Sequence, residues 1–331
     1  MACCRSDAKS LIIISVQVDE DSSLRMIRAF TQSEIDAGNI KIEDRILEVH
    51  EMELRRPVRY FWSVQDFVQG LIGALLGHQY LVEINILHRD VSENNVVLAC
   101  IPGQLRGAII DFDMAIRYEA AKQHLQGRAP IRAVMSRTAP KEAVQKNSQN
   151  GLFKAERTGT TPYMAIDVLD GKGHTHYDDI ESFFYVLLLF FFSYNGPLPQ
   201  DELKDAHDRA FTQARLGHAK NTRDWPAMFL PWSASMTAAS NSKFGLLSRN
   251  KSEPMVQQMA LELQDIWGPS YDAVCDLIAA CLELFQDRPW DNRVTHEQFI
   301  EVLDQWLKDF PKPVDGYNSC PFSDGAGGQL V

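Results

Sequence analysis

The sequence is poor in cysteine. Its six, Cys3, Cys4, Cys100, Cys275, Cys281 and Cys320, include no C-x-x-C spacing. That argues against a zinc ribbon and a disulfide scaffold, and predicts reduced, mostly buried thiols in an intracellular protein, cytoplasmic or nuclear. Long apolar runs are missing too. The longest, Phe183 to Phe192, is far short of the roughly 20 residues that cross a bilayer, so it predicts a buried helix and no membrane partner. Leu11 to Val16 is too short for a signal-peptide core and has no small-residue cleavage site after it. A basic excess is also absent: 33 Lys and Arg against 44 Asp and Glu leave a net charge of −11. This argues against a general nucleic-acid binder, which needs a basic face, though not against a local basic patch. There is no internal repeat. What the chain does have is 331 residues, 45% of them hydrophobic, enough for one large domain or two lobes with a sizeable core.

Along the chain, Leu11 to Val18 is rich in Ile and Val and reads as a strand, and Arg45 to Leu54 as a second one ended by Pro57. Residues 19–35 suit a helix. Ser63 and Asp66 form an S-x-x-D cap ahead of Phe67, Leu71, Ala74, Leu75, His78, Leu81 and Val82 at helical spacing, which predicts an amphipathic helix over 63–83. Asn95 to Ala99 and Ala108 to Phe112 read as a strand hairpin around the turn-rich segment Pro102 to Gly107. Residues 119–157 hold eight Lys and Arg against three Asp and Glu and read as a mobile basic insertion. From Asp178 the chain reads as helices at 178–195, 201–215, 254–266, 270–285 and 295–309, followed by a flexible tail over 311–331.

The chemistry concentrates in two short segments, Ile86-Leu87-His88-Arg89-Asp90-Val91-Ser92-Glu93-Asn94-Asn95 and Ile109-Ile110-Asp111-Phe112-Asp113. A hairpin sets Asn95 beside Asp111. An amide oxygen next to a carboxylate is a hard-oxygen pair suited to Mg²⁺ and phosphate. Asp90, a loop carboxylate five residues before the amide, is suited to take the proton of an attacking hydroxyl.

These segments resemble the catalytic core of protein kinases, H-R-D-x-x-x-x-N followed by D-F-x. Gly159-Thr160-Thr161-Pro162-Tyr163-Met164-Ala165-Ile166-Asp167 resembles the end of a kinase activation segment, and Pro289-Trp290-Asp291-Asn292-Arg293 the late arginine motif. The wording His88-Arg89-Asp90-Val91-Ser92-Glu93-Asn94-Asn95, Asp111-Phe112-Asp113 and Asp179-Ile180-Glu181-Ser182-Phe183-Phe184-Tyr185 is similar to the fungal-type protein kinase family, over about residues 56 to 310. The resemblance implies an α+β, protein kinase-like fold with a mostly helical C-terminal lobe. It implies ATP and Mg²⁺ as cofactors, with Asn95 and Asp111 as metal and nucleotide ligands. It implies a protein Ser or Thr as the acceptor, Asp90 as the catalytic base, an Arg89 that pairs with the activation segment and a Thr160 that shapes the acceptor side. It also implies an Arg293–Asp167 pair and an Asp179 that binds the catalytic-loop backbone. His88 reads as a packed structural histidine, and the His174, His176, Asp178, Asp179 group as a loop before a helix in preference to a metal cluster.

The departures are specific. Ser92 stands where serine/threonine kinases carry a lysine, Asp113 replaces a hinge glycine, and Ile166-Asp167 replaces Pro-Glu. No G-x-G-x-x-G precedes Asp90 and no lysine lies between Leu11 and Ile40, while Lys9 and Lys41 lack the expected setting. Residues 1–55 therefore read as a reduced N-terminal β-containing lobe, with Glu34 a weak match to the acid of the kinase small-lobe helix. Two other readings compete with the kinase. One is a pseudokinase or truncated scaffold acting through protein contacts, favoured by the missing lysine and Gly-rich loop. The other is a small-molecule kinase of the aminoglycoside or choline type, opposed by the 159–165 segment and Arg293.

Overall fold

The computed structural model describes residues 11–15, 48–52, 54–100, 107–118, 159–209, 221–288 and 292–311, the first two stretches as backbone. The helix over 19–35, Glu34, Lys9, Lys41, the insertion 119–157 and the tail beyond 311 lie outside these residues. The chain divides into two compact units, Met1–Arg55 and Arg56–Val331. In the first, β1 (Leu11–Ser15) pairs antiparallel with β2 (Glu48–Met52), Leu11 opposite Met52. Residues 16–18 and 45–47 of the two expected strands lie outside the described residues.

The second unit begins within β3 (Arg55–Pro57) and passes through a 3-10 turn into α1 (Val64–Glu83). The predicted cap is present: the Ser63 hydroxyl accepts from the Asp66 amide at 3.1 Å. The Asp66 carboxylate reaches back past Ser63 to the Trp62 amide at 2.9 Å and also holds Arg56 at 2.8 Å. Arg56 is 1% exposed, donates to Ala99 O and Tyr60 O, and lies over the Trp62 ring. It thereby ties the helix entry to the hairpin behind it.

After α1 come β4 (Ile86–Leu87), β5 (Val96–Ala99), β6 (Gly107–Ile109) and β7 (Ile116–Arg117). β5 and β6 form the expected antiparallel hairpin, Val96 opposite Ile109, within a sheet ordered β3-β5-β6; β4 pairs antiparallel with β7. The second hairpin strand stops at Ile109, two residues short of Asp111, because Asp111 has φ +68°, outside the extended region that strand pairing needs.

The hairpin lies directly on α1. A Cβ added at Gly107 would sit 2.2 Å from Gly70 O, and one at Gly73 2.6 Å from Gly107 N. No side chain fits between these backbones. Gly107→Ala is expected to push the hairpin off the helix and to cost roughly 1–3 kcal/mol, as overpacking does. Chemical denaturation checks this, and an unchanged midpoint would contradict it.

The remaining elements are helical: α2 (Ile166–Leu169), α3 (His176–Ser193), α4 (Gln200–Asp208), α5 (Pro231–Ala234), α6 (Met236–Leu247), α7 (Arg249–Trp267), α8 (Tyr271–Phe285) and α9 (His296–Asp309). α3 starts with a Thr175–Asp178 capping box, and every side chain from Phe183 to Phe192 is fully buried. This is the buried helix that the apolar run predicts. Phe190 stacks on Phe67 of α1, Phe184 on Phe285 of α8, and Trp267 of α7 donates to Phe191 O at 2.9 Å. Each such buried side chain contributes on the order of 1.5–3 kcal/mol, so α3 is the axis on which the other helices are fixed. Among the described residues, no helix is long and apolar enough to cross a membrane.

Beyond the four-residue α2 and α5, which the sequence pattern does not mark, two longer helices depart from expectation. α7 starts at Arg249, five residues before Pro254, because the Ser248 carbonyl already accepts from Lys251 and Ser252 and starts the helix upstream. α6 has no counterpart in the sequence reading. Its Met-Thr-Ala-Ala-Ser-Asn-Ser stretch has no apolar stripe, and its start is set by Ser235, which accepts from the Ala238 amide at 3.1 Å.

Candidate functional site

The loop between β4 and β5 is held from below by one carboxylate. Asp179, fully buried in the first turn of α3, accepts from the backbone amides of His88 and Arg89, each at 3.2 Å. It also accepts from His78 Nε2 at 2.9 Å and His174 Nε2 at 2.8 Å. The expected contact of Asp179 with loop backbone is present, and His174 belongs to this grip. Among the described residues no group of three or more His, Cys, Asp or Glu is placed to hold a metal.

Burial opposes ionisation of Asp179, yet the charge and hydrogen bond of His174, with His78, hold its pKa well below the usual carboxylate range. Burial likewise opposes protonation of His174, and Asp179 outweighs it, raising the His174 pKa. His78 Nδ1 lies 2.8 Å from His296 Nε2, and burial with the nearby His78 and His176 pulls the His296 pKa down to about 3.

This grip sets the loop's shape. Arg89 takes φ +72°, which a non-glycine residue adopts only when its surroundings impose it. His88 is fully buried; its Nε2 donates to Ile110 O at 3.0 Å and its Nδ1 accepts from the Asp90 amide at 3.3 Å. Burial lowers its pKa. Both ring nitrogens are used internally, so His88 is structural, as its sequence setting suggests.

Asp90 is where the elements converge. Its Oδ2 accepts from Asn95 Nδ2 at 3.2 Å, and its backbone carbonyl from the same nitrogen at 2.8 Å. Its Oδ1 accepts from the Thr160 amide at 3.1 Å, with the Thr160 hydroxyl at 3.5 Å. Gly159 makes the approach possible: it has φ +119°, and a Cβ there would lie 3.2 Å from Arg89 O. Asn95 ends a 3-10 turn immediately before β5, and its carbonyl accepts from the Ile110 amide at 2.9 Å. Asp111 follows Ile110, so it comes next to Asn95 in the loop after β6. It is exposed, with Oδ1 accepting from the Asp113 amide at 3.3 Å.

Asp90, Asn95 and Thr160 are thus joined by hydrogen bonds, and Asp111 is adjacent through the hairpin. Arg89 contributes its backbone amide to Asp179. Ser92 is 2% exposed and starts the 3-10 turn, so it does not reach outward as a lysine at that position would.

Asn95 and Asp111 could hold a divalent cation. Asn95 Nδ2 is used on Asp90, while among the described residues no donor hydrogen-bonds to its Oδ1. An amide oxygen and an exposed carboxylate suit Mg²⁺, which leaves its remaining positions to phosphate oxygens and water.

Arg293 pairs with Asp167 at 2.8 Å as expected, but two more acids share it: Asp178 at 2.7 Å and Glu181 at 3.3 Å. Burial raises the Glu181 pKa, with Arg293 acting against it. Burial also opposes the charge on Asp167, but hydrogen bonding to Lys172 and the charge of Arg293 keep its carboxyl below the usual value. Sequence spacing missed another contact as well: Glu93 accepts a hydrogen bond from Tyr194 and interacts with Tyr163, joining the loop to the 159–165 segment and to α3.

A loop carboxylate, an amide and an acid on one hairpin, a segment resting on the carboxylate, and a long buried helix beneath them are compatible with an α+β, protein kinase-like fold. The model of the fungal protein kinase family matches residues 15–191, more than half of the sequence, and the chain belongs to that family. No curated protein matches it.

Proposed function

We propose that this chain transfers the γ-phosphoryl group of ATP to Ser or Thr hydroxyls of a protein substrate. The observation that carries the reading is the Asp90 carboxylate, held by Asn95 on one oxygen and Thr160 on the other, with Asp111 just past the hairpin strand that pairs beside Asn95. Asp90 orients the acceptor hydroxyl and takes its proton, while the Thr160 and Asn95 donors fix the rotation of the carboxylate. Asn95 Oδ1 and the Asp111 carboxylate would hold Mg²⁺, which when bound neutralises charge developing on the phosphate oxygens. Arg89 pairs with the 159–165 segment, and Thr160 shapes the acceptor side.

The test is transfer from labelled ATP to mixed Ser/Thr and Tyr peptides. Asp90→Asn is expected to lower transfer by about 10²–10⁴-fold, the usual range for removing a general base, with Ser/Thr peptides labelled in preference to Tyr. Undiminished transfer by Asp90→Asn would overturn the assignment.

The buried Ser92 favours a second reading, a scaffold acting through protein contacts. It is supported instead if wild-type protein shows no Mg²⁺-dependent transfer.

A further inference from the structure

Lys243 of α6 is fully buried, and no step above uses it. Burying an ammonium is costly unless its donors are occupied. Among the described residues it forms no ion pair. Its Nζ donates to Met164 O at 2.6 Å and lies 3.5 Å from Thr161 O. The Tyr185 ring of α3 is 4.0 Å from Nζ and the Trp232 ring of α5 is 4.9 Å, closing an aromatic box around the charge. Burial pulls its pKa well below the ordinary lysine value, with the Glu181 carboxylate acting the other way. A leucine or methionine would fill this box without that cost. What an apolar side chain cannot do is satisfy two carbonyls where the 159–165 segment turns.

That segment is the one whose Thr160 amide rests on Asp90. It has three anchors: Thr160 on Asp90, Tyr163 against Glu93, and Met164 on Lys243. The first two come from the catalytic loop. The third comes from the helical layer beneath, where the Met164 side chain also packs against Ala239 of α6, and it grips the backbone, so it holds whatever the side chains above are doing. We propose that Lys243 is a positioning residue for the acceptor substrate, fixing the height of the 160–164 backbone against Asp90. The inference rests on the reading of Asp90 as proton acceptor.

The experiment compares the full-length wild-type chain with Lys243→Met, which keeps the volume and loses the donors, and Lys243→Gln, which keeps an N–H donor without charge. Two quantities are read: steady-state constants for peptide and for ATP, and amide hydrogen exchange over 160–165 relative to α3. For Lys243→Met the peptide KM is expected to rise about tenfold while the ATP KM stays within about twofold. The 163–165 amides are expected to exchange about tenfold faster without matching acceleration in α3. Lys243→Gln is expected to fall between the two, and it replaces Lys243→Met if that variant does not fold.

A fall in kcat with both KM values unchanged would mean only a smaller folded fraction, and would overturn the proposal. So would unchanged exchange at 163–165. If the wild type transfers no phosphate, the kinase reading fails. The exchange comparison then decides by itself whether Lys243 holds the segment.

Discussion

Arg293→Ala is expected to lower the melting temperature by on the order of 10 °C. The guanidinium lies within 3.3 Å of three carboxylates, those of Asp167, Asp178 and Glu181, and the Asp178 side chain is 1% exposed. Removing the cation leaves these acids facing one another, with the exposed Lys172 near Asp167 and the buried Lys243 acting on Glu181. Breaking a buried ion pair from one side typically costs ~3–5 kcal/mol. In a unit of this size each kcal/mol shifts the midpoint by about 2–4 °C. Asp167→Ala is expected to cost less, since Arg293 keeps two acids. Thermal unfolding of both variants checks the order, and equal midpoints for wild type and Arg293→Ala would sink it.

Asp179→Ala is expected to cost about as much, roughly 3–5 kcal/mol, and also to abolish transfer. It would leave the His88 and Arg89 amides and the His78 and His174 side chains without their common acceptor, and would release Arg89 from φ +72°. The loop that aims Asp90 would lose its shape.

The same cluster sets a pH window. The Asp179 pKa is held below its ordinary 3.8, so its stabilisation is present above that value and is lost as pH falls through the lower folded-state value. The His174 pKa is raised above its ordinary 6.5, so its contribution is complete below 6.5 and is lost as pH rises through the higher folded-state value. Between about 4 and 6.5 both contributions are at their fullest. Urea midpoints measured against pH should decline on the alkaline side for wild type and less steeply for His174→Gln; parallel profiles would contradict the assignment.

Much of this site was legible in the sequence because its residues keep fixed spacings. Asp90 and Asn95 are five apart in one loop, and Asp111 follows two residues beyond the return strand. Arg293 and Asp167 were named as partners at 126 positions of separation. Asp178 and Glu181 were not, because their convergence depends on how α3 faces the Arg293 segment. Lys243 was invisible for a related reason. In Asn-Ser-Lys-Phe-Gly a lysine reads as a solvated position, and only the seating of α6 against α3 and α5 turns it inward. His78 was read as one member of the apolar face of α1. That face is indeed buried, but a position on a buried face says nothing about which carboxylate waits beneath it. The end of β6 was misjudged because left-handed backbone at an aspartate has no signature in a hydrophobic pattern.

The direct backbone contact of Gly107 with Gly70 and Gly73 bears on the order of assembly. Its partners lie within a few dozen residues of each other, so closing that loop costs little chain entropy. The contacts on the acceptor side span longer stretches: 70 residues from Asp90 to Thr160, 79 from Met164 to Lys243, and 126 from Asp167 to Arg293. Longer closures come later in folding and open at lower free energy. The hairpin bearing Asn95 and Asp111 is therefore expected to gain protection early, with the acceptor platform last to close and first to fray. Pulse-labelled hydrogen exchange would resolve the two phases.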